Sequence, residues 1–181
     1  MRKFTFRLLA VSGLVCFTLS CFKPTVAAPS IQAGFSPEGS ALQLILNTVN
    51  RAEYSIRVMG YSFSSPEVVK ALVTAHKRGV DVKIVLDAKG NQNKISQSAM
   101  NIIVKAGIPL RTNARFAIMH DKVIITDRRN VETGSFNFSR AAARSNSENV
   151  LVIRNYPLLA DIYLQHWQSR WETGTNWVPG Y

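Results

Sequence analysis

Short apolar runs alternate with amphipathic segments from residue 31 onward, and this alternation constrains the fold more than any other feature. The apolar runs predict β-strands, because a few consecutive apolar residues bounded by polar ones suit a buried strand. The amphipathic segments predict helices, because their apolar residues recur at three- and four-residue spacing. Predicted strands cover residues 31–35, 55–63, 82–86 and 150–153, with one or two more within 116–126.

Serine–proline–glutamate triplets indicate two helix starts, at Ser36 and Ser65. Each triplet offers an N-cap hydroxyl, a proline at the first helical position and an acid in the first turn. The second helix is expected to end at Gly79, a third covers residues 95–106, and a last one opens at Pro157. No proline- or serine-rich linker divides this region, and 181 residues suit one domain, so the sequence predicts a single α/β domain.

The first 28 residues have a different character and predict a secretory signal peptide. Basic residues precede an apolar run over 8–19, and small residues follow up to Ala28. Cys16 and Cys21 both lie in this segment, so the predicted mature domain, residues 29–181, contains no cysteine. Export to the periplasm without stable membrane insertion is expected. An uncleaved N-terminal anchor is the alternative, although the apolar run is too short for a typical membrane span.

Positive charge dominates the chain and favours a polyanionic partner. The formal net charge is +11, and removing the four basic residues of the predicted signal peptide leaves +7 on about 153 residues. A basic exported domain suits nucleic acid, an anionic membrane surface or a cell-wall polymer. Charge alone does not choose among these.

Between residues 120 and 137 the chain concentrates side chains that can bind, attack or protonate a phosphodiester. The pattern occurs once and reads His120-x-Lys122-x4-Asp127-x6-Gly134-Ser135-x-Asn137. On a strand, the two-residue spacing puts His120 and Lys122 on one face and Val123 and Ile125 on the other, toward the core.

A histidine beside a lysine suits attack on phosphorus. Lys122 supplies a compact positive charge with three donors, and Ser135 and Asn137 supply neutral donors. The imidazole of His120 can attack when neutral or give up a proton when charged, because its usual pKa lies near working pH. One imidazole does not readily do both at once, so a second group is needed to protonate the leaving oxygen.

These six positions resemble the signature of the phospholipase D superfamily. Lipid-cleaving members of that superfamily usually carry two copies of the motif, whereas this chain has one copy and too little length for a second domain. It is therefore most similar to the small single-motif bacterial endonucleases, the Nuc type, in which two identical chains together form one active site. The resemblance implies a mixed β-sheet flanked by helices on both faces, and a homodimer.

The resemblance also implies a role for each site residue. One His120 forms a phosphohistidine, while His120 of the second chain protonates the leaving oxygen and then activates water. Lys122 and Asn137 hold the phosphate oxygens with support from Ser135, and Glu148 orients the catalytic imidazole. Two motif residues are implied to be structural: Asp127 and Gly134. No metal or other cofactor is implied.

Four arginines flank the motif and are candidates for phosphate contacts beside the cut, with a solvated basic surface as the alternative: Arg128, Arg129, Arg140 and Arg144. His166 is expected to pack within the last helix. No base-reading motif is visible, so the leading hypothesis is an exported, metal-independent, largely nonspecific endonuclease acting on DNA, with RNA as a further substrate. The alternatives are a phospholipase D-type phosphodiesterase or transphosphatidylase acting on phospholipid, and a non-catalytic nucleic-acid binder.

Overall fold

The computed structural model describes residues 27–179, in which one sheet of eight strands is packed between helices. Most of the predicted signal peptide, including both cysteines, lies outside the described residues. The strands are β1 (Ser30–Ser36), β2 (Ser55–Gly60), β3 (Asp81–Asp87), β4 (Leu110–Asn113), β5 (Lys122–Thr126), β6 (Asn130–Gly134), β7 (Glu148–Arg154) and β8 (Thr175–Asn176). The helices are α1 (Ser40–Asn50), α2 (Pro66–Lys77), α3 (Lys94–Lys105), α4 (Arg140–Arg144) and α5 (Pro157–Glu172).

The sheet is mixed, as the resemblance implied. Its strand order is β1-β7-β6-β5-β2-β3-β4-β8. Strands β2, β3 and β4 run parallel, and every other neighbouring pair is antiparallel. The α2 and α3 crossovers supply the long connections that parallel neighbours need.

Helices cover both faces of this sheet, which confirms the predicted single α/β domain. Helices α1, α2 and α3 bury their apolar stripes against one face, and α5 packs on the other. The anchor of α5 is Trp167, a buried residue whose indole N–H donates to the backbone carbonyl of Val58 at 2.9 Å. Along β5, Ile124 enters the first core and Val123 and Ile125 enter the second, as their alternation predicted.

Strand register brings the ends of several elements to one edge of the sheet. Gly60 at the end of β2 pairs with Lys122 at the start of β5. Ser36 at the end of β1 pairs with Glu148 at the start of β7. Gly134 ends β6 beside β7. All motif residues except Asp127 therefore lie at or beside a common edge, called here the site edge.

One of the two predicted helix starts is confirmed and the other is wrong. The Ser65 side chain caps α2 by accepting the Val68 N–H, and Pro66 is the first helical residue. Ser36 instead ends β1, and its hydroxyl is buried and donates to the Ala142 carbonyl at 2.6 Å. Because that hydroxyl is committed to a distant backbone group, α1 begins only at Ser40, with no side-chain cap.

The segment before the motif also differs from the prediction. Residues 116–121 form no strand, so His120 lies just ahead of β5 rather than within it. The short elements β4, β8 and α4 are absent from the prediction. Within residues 27–179, no helix has both the length and the apolar composition needed to cross a membrane.

Candidate active site

His120 and Lys122 meet around the ring of Tyr61, which follows β2 at the site edge. The His120 and Tyr61 rings are edge-to-face, with centroids 4.8 Å apart. The Lys122 Nζ lies 5.6 Å from the centre of the Tyr61 ring and donates a 2.8 Å hydrogen bond to the His120 carbonyl. His120 is exposed, and within residues 27–179 its ring nitrogens make no hydrogen bond. The imidazole is therefore open to a ligand.

Lys122 is the buried member of this pair, with 6% of its surface exposed. Burial lowers the pKa of its ammonium group, while the nearby carboxylates of Glu148 and Asp121 raise it and partly offset that effect. A buried ammonium close to the exposed imidazole gives the site edge a fixed positive charge suited to a phosphate oxygen.

At the end of β6, the backbone of Gly134 and Ser135 lies very close to the start of β7. A Cβ atom at Gly134 would clash with the backbone carbonyl of Asn149, so only glycine fits there. The Ser135 hydroxyl donates to Glu148 Oε2 at 2.6 Å and accepts the Asn149 N–H at 3.0 Å. Ser135 is thereby fixed in one orientation at the site edge.

Asn137 is held between two fully buried aromatic residues, Phe136 and Phe138. The Phe138 carbonyl accepts the N–H groups of Ser64 and Ser65, which ties this turn to the start of α2. The Asn137 side-chain oxygen is buried and has no hydrogen-bond partner in the described part of the chain. An unsatisfied buried polar atom is costly, and such atoms concentrate at functional sites.

Within the described residues of one chain, the Glu148 carboxylate makes no hydrogen bond to His120, so the orienting role implied for it stays a prediction. Its carboxylate accepts hydrogen bonds from the Ser135 hydroxyl and from the Asn146 amide, the latter at 2.9 Å. Glu148 opens β7, next to the turn that follows β6. In this chain Glu148 orients Ser135 and raises the pKa of Lys122.

Asp127 lies at the opposite end of β5, roughly 16 Å along the strand from Lys122. Its backbone is left-handed, with a φ of 54°. Its carboxylate accepts the backbone N–H groups of Glu53, Tyr54 and Ser55, at 2.7 to 3.2 Å. These contacts join the β5–β6 turn to the start of β2 and support the structural role proposed for Asp127.

The four flanking arginines divide between the two ends of the sheet. Arg140 and Arg144 are exposed on α4 at the site edge, where a guanidinium nitrogen of Arg144 lies 3.7 Å from the Glu67 carboxylate. Arg128 and Arg129 follow Asp127 at the far end, where they pair with Asp161 and Glu53. Of the four arginines, only the two on α4 therefore lie at the site edge.

A histidine–aspartate pair adjoins the site and was missed by the sequence reasoning. His166 Nε2 lies 3.0 Å from Asp121 Oδ1, so His166 pairs with the residue between His120 and Lys122 rather than only packing in α5. No sequence signal connects these residues, because they meet only when α5 crosses the sheet. Within residues 27–179 no group of three or more histidine, cysteine, aspartate or glutamate side chains could hold a metal ion.

Comparison with known proteins identifies relatives across nearly the whole described chain. The family model described as cardiolipin synthase, PLD-like domain, matches residues 45–171. The crystal structure of a phospholipase D family member, Nuc from Salmonella typhimurium, is 57% identical, with a TM-score of 0.82, over 83% of this chain and 99% of that one.

Two sequence relatives carry other names. A phospholipase D of Rickettsia felis is 40% identical over 136 residues, which are 75% of this chain and 66% of that protein. A human mitochondrial cardiolipin hydrolase is 30% identical over 163 residues, covering 85% of this chain and 64% of that protein. The chain thus spans slightly less than two thirds of the length of these two relatives.

Proposed function

We propose that this chain, which belongs to the phospholipase D superfamily, hydrolyses phosphodiester bonds in nucleic acid with little sequence preference. The observation that carries the proposal is the arrangement at the site edge, where the open imidazole of His120 lies beside the buried ammonium of Lys122. The 57% identity to Nuc over almost all of that chain supports the same chemistry.

In the proposed reaction a neutral ring nitrogen of His120 attacks phosphorus, and the bond from phosphorus to the leaving oxygen breaks. Lys122 and Asn137 hold the non-bridging oxygens, whose charge grows in the transition state. A second imidazole donates its proton to the leaving oxygen. That imidazole, now neutral, takes a proton from water, which attacks the phosphohistidine and restores His120.

The second imidazole comes from a second copy of this chain, because the motif occurs only once in the sequence. An apolar surface beside the site supports this assembly. Ile31, Phe35 and Leu151 are exposed on the part of the sheet that α5 leaves open, the open sheet face. Phe35 pairs with Asn149, whose N–H bonds Ser135, so the open sheet face adjoins the site edge.

A charge placed on the open sheet face tests this dimer. The Phe35→Asp chain should sediment as a monomer and lose turnover at low protein concentration, while unmodified chain sediments as a dimer. Val178→Asp is the matched control, since Val178 is an exposed apolar residue just after β8, at the opposite edge of the sheet from β1. Full turnover by a monomeric protein would contradict the shared site.

A phospholipid substrate is the second candidate, because two relatives are named for phospholipid cleavage. An apolar groove of about 340 Å³ between α2 and α3 could receive an acyl chain, since it begins at Ser64 and Pro66 near the site edge. Release of headgroup from phosphatidylglycerol or cardiolipin vesicles, with DNA left intact, would favour this function.

Plasmid DNA incubated with purified protein in excess chelator tests substrate and metal dependence together. We expect nicking and linearisation, and no cleavage by the His120→Ala chain, which controls for contaminating nuclease. DNA left intact by folded dimer would overturn the proposed nuclease activity.

Two coupled imidazoles, one neutral and one protonated, should give a bell-shaped rate profile with pH.

Mass spectrometry of protein quenched during turnover tests the covalent step. An acid-labile, base-stable adduct of the 5′- or 3′-phosphoryl strand on His120 is expected, and its absence under single-turnover conditions would contradict nucleophilic attack by the imidazole.

We further propose export to the periplasm, supported by the basic start, apolar run and small-residue end of residues 1–28. Fractionation of cells producing the full chain, followed by N-terminal sequencing, tests this. Cleaved protein in the periplasmic fraction is expected, and full-length protein in the cytoplasm or membrane would contradict the proposal.

A further inference from the structure

The position of His120 is not set by the sheet. His120 precedes β5, and its ring is exposed. A nucleophile held so loosely would lose rate, because displacement of a reacting group by about 1 Å can cost on the order of 100-fold. Other contacts must therefore fix this residue.

Asp87, the last residue of β3, supplies one such contact. Only 1% of its surface is exposed. One carboxylate oxygen accepts the Gly90 N–H and the other accepts the Met119 N–H, each at 2.6 Å. Met119 immediately precedes His120, so the buried carboxylate fixes the backbone from which the imidazole projects. Short hydrogen bonds to an ionised acceptor are among the stronger ones in proteins.

Asn91 extends the same hydrogen-bond network to Tyr61. It is also buried, and its side-chain oxygen accepts the Phe63 N–H at 2.9 Å. Its amide donates to the carbonyls of Tyr61 at 2.7 Å and Asp87 at 2.8 Å. Tyr61 is the residue whose ring lies edge-to-face with His120. Asn91 thus fixes the backbone of the aromatic residue against which the imidazole rests.

We propose that Asp87 and Asn91 form a buried positioning pair that sets the orientation of the His120 imidazole, Asp87 through Met119 and Asn91 through Tyr61. The proposal rests on the proposed function, in which His120 is the nucleophile. Neither side chain touches substrate. Their effect is to hold the ring in its attacking position, so their loss should lower kcat more than it raises KM.

Gly90 adds an independent way to disturb the same arrangement. A Cβ atom there would lie 2.7 Å from the Tyr61 carbonyl oxygen and 3.0 Å from its ring, so Gly90→Ala must displace Tyr61 or the loop. Both polar side chains of the positioning pair stay intact in this variant.

The test compares Asp87→Asn, which replaces a buried carboxylate by an amide, with a control, Asn130→Asp, which replaces a buried amide by a carboxylate. Asn130 is buried at the far end of β5 and β6, where its amide bonds Thr126 and its oxygen accepts the Asn155 N–H. Both variants should lose stability. At a temperature where both are folded, only Asp87→Asn should lose kcat, by about 10- to 100-fold with KM nearly unchanged.

NMR of ¹⁵N- and ¹³C-labelled histidine provides a readout that does not depend on turnover. The Tyr61 ring current should shift the His120 ring signals in the unmodified dimer, and Asp87→Asn should move them toward values of a freely rotating histidine. Asn130→Asp should leave them in place. If Asp87→Asn fails to fold, Gly90→Ala decides by the same two measurements.

Unchanged kcat and unchanged His120 signals in a folded Asp87→Asn or Gly90→Ala dimer would overturn the positioning pair. An unmodified dimer with shifted His120 signals but no cleavage of any phosphodiester would instead count against the proposed function. The two failures are therefore distinguishable.

Discussion

We propose that Asp127 supports the shape of the motif rather than its chemistry. Its carboxylate accepts three consecutive backbone N–H groups at the start of β2, far along β5 from Lys122. Asp127→Ala should lower the free energy of unfolding by about 1–3 kcal/mol, because those donors lose a charged acceptor. Urea titration measures this. A folded Asp127→Ala dimer with kcat reduced more than tenfold would contradict the structural role.

The pKa of Lys122 depends on its burial and on two nearby carboxylates. Burial lowers its pKa, and Glu148 and Asp121 raise it. Asp121→Asn removes one of the raising charges, so the Lys122 pKa should fall further, and its ammonium should lose charge at lower pH. NMR titration of the lysine Cε signal, assigned with Lys122→Arg, measures the midpoint.

His166→Gln is the control for that titration, since it removes the partner of Asp121 while keeping its carboxylate. The Lys122 midpoint should stay nearly unchanged in this variant. An equal shift in both variants, or none in Asp121→Asn, would show that the Asp121 charge does not act on Lys122.

At the residue scale, the sequence indicated the motif residues but not the residues of other elements that contact them. The motif residues are recognisable because their spacing is local. Tyr61, Asn91 and His166 act on residues of other elements, and only the fold brings them together. The contact of Glu148 with Ser135 is another one that the sequence did not indicate.

At the scale of elements, β6 carries an unusual buried acid. Glu132 is fully buried, and neither carboxylate oxygen has a hydrogen-bond partner in the described residues. Burial raises the pKa of this carboxyl well above its usual value of 4.5. Folding therefore favours the protonated form. As pH rises from the unfolded pKa through the folded one, the unfolded state binds fewer protons than the folded state, so stability falls.

Glu132→Met removes this effect while filling the same space with an apolar chain. The variant should be more stable than the unmodified protein at pH 8, and its advantage should be smaller at pH 5. Urea unfolding at the two pH values measures the difference, with Glu38→Met, an exposed acid, as the control. An advantage that does not grow with pH would contradict an unpaired buried carboxyl.

The elements themselves were largely predictable where periodicity was strong. Helices α2 and α3 and strands β2, β3 and β7 follow their predicted segments closely. The start of α1 was mispredicted, because the Ser36 hydroxyl bonds Ala142 across the fold instead of capping a helix. Short strands such as β4 and β8 depend on their sheet partners rather than on local sequence, which is why no sequence pattern predicts them.

At the scale of the whole molecule, the proposed reaction needs two copies of the site that one chain presents. Its site edge holds one imidazole, one ammonium and the supporting donors. The open sheet face, with Phe35 and Leu151 exposed, offers a surface for a second copy next to that edge. The sequence indicated the need for a second imidazole from chemistry, but not this surface, because exposed apolar residues on a strand resemble core residues until the sheet is assembled.

Subunit mixing tests the shared site most directly. Unmodified and His120→Ala chains, refolded together in equal amounts, form unmodified, mixed and doubly substituted dimers. If each site needs both imidazoles, only about one quarter of the dimers are active. We therefore expect activity near a quarter of that of the unmodified protein at equal total concentration. Activity near one half, as independent sites would give, would contradict the shared site.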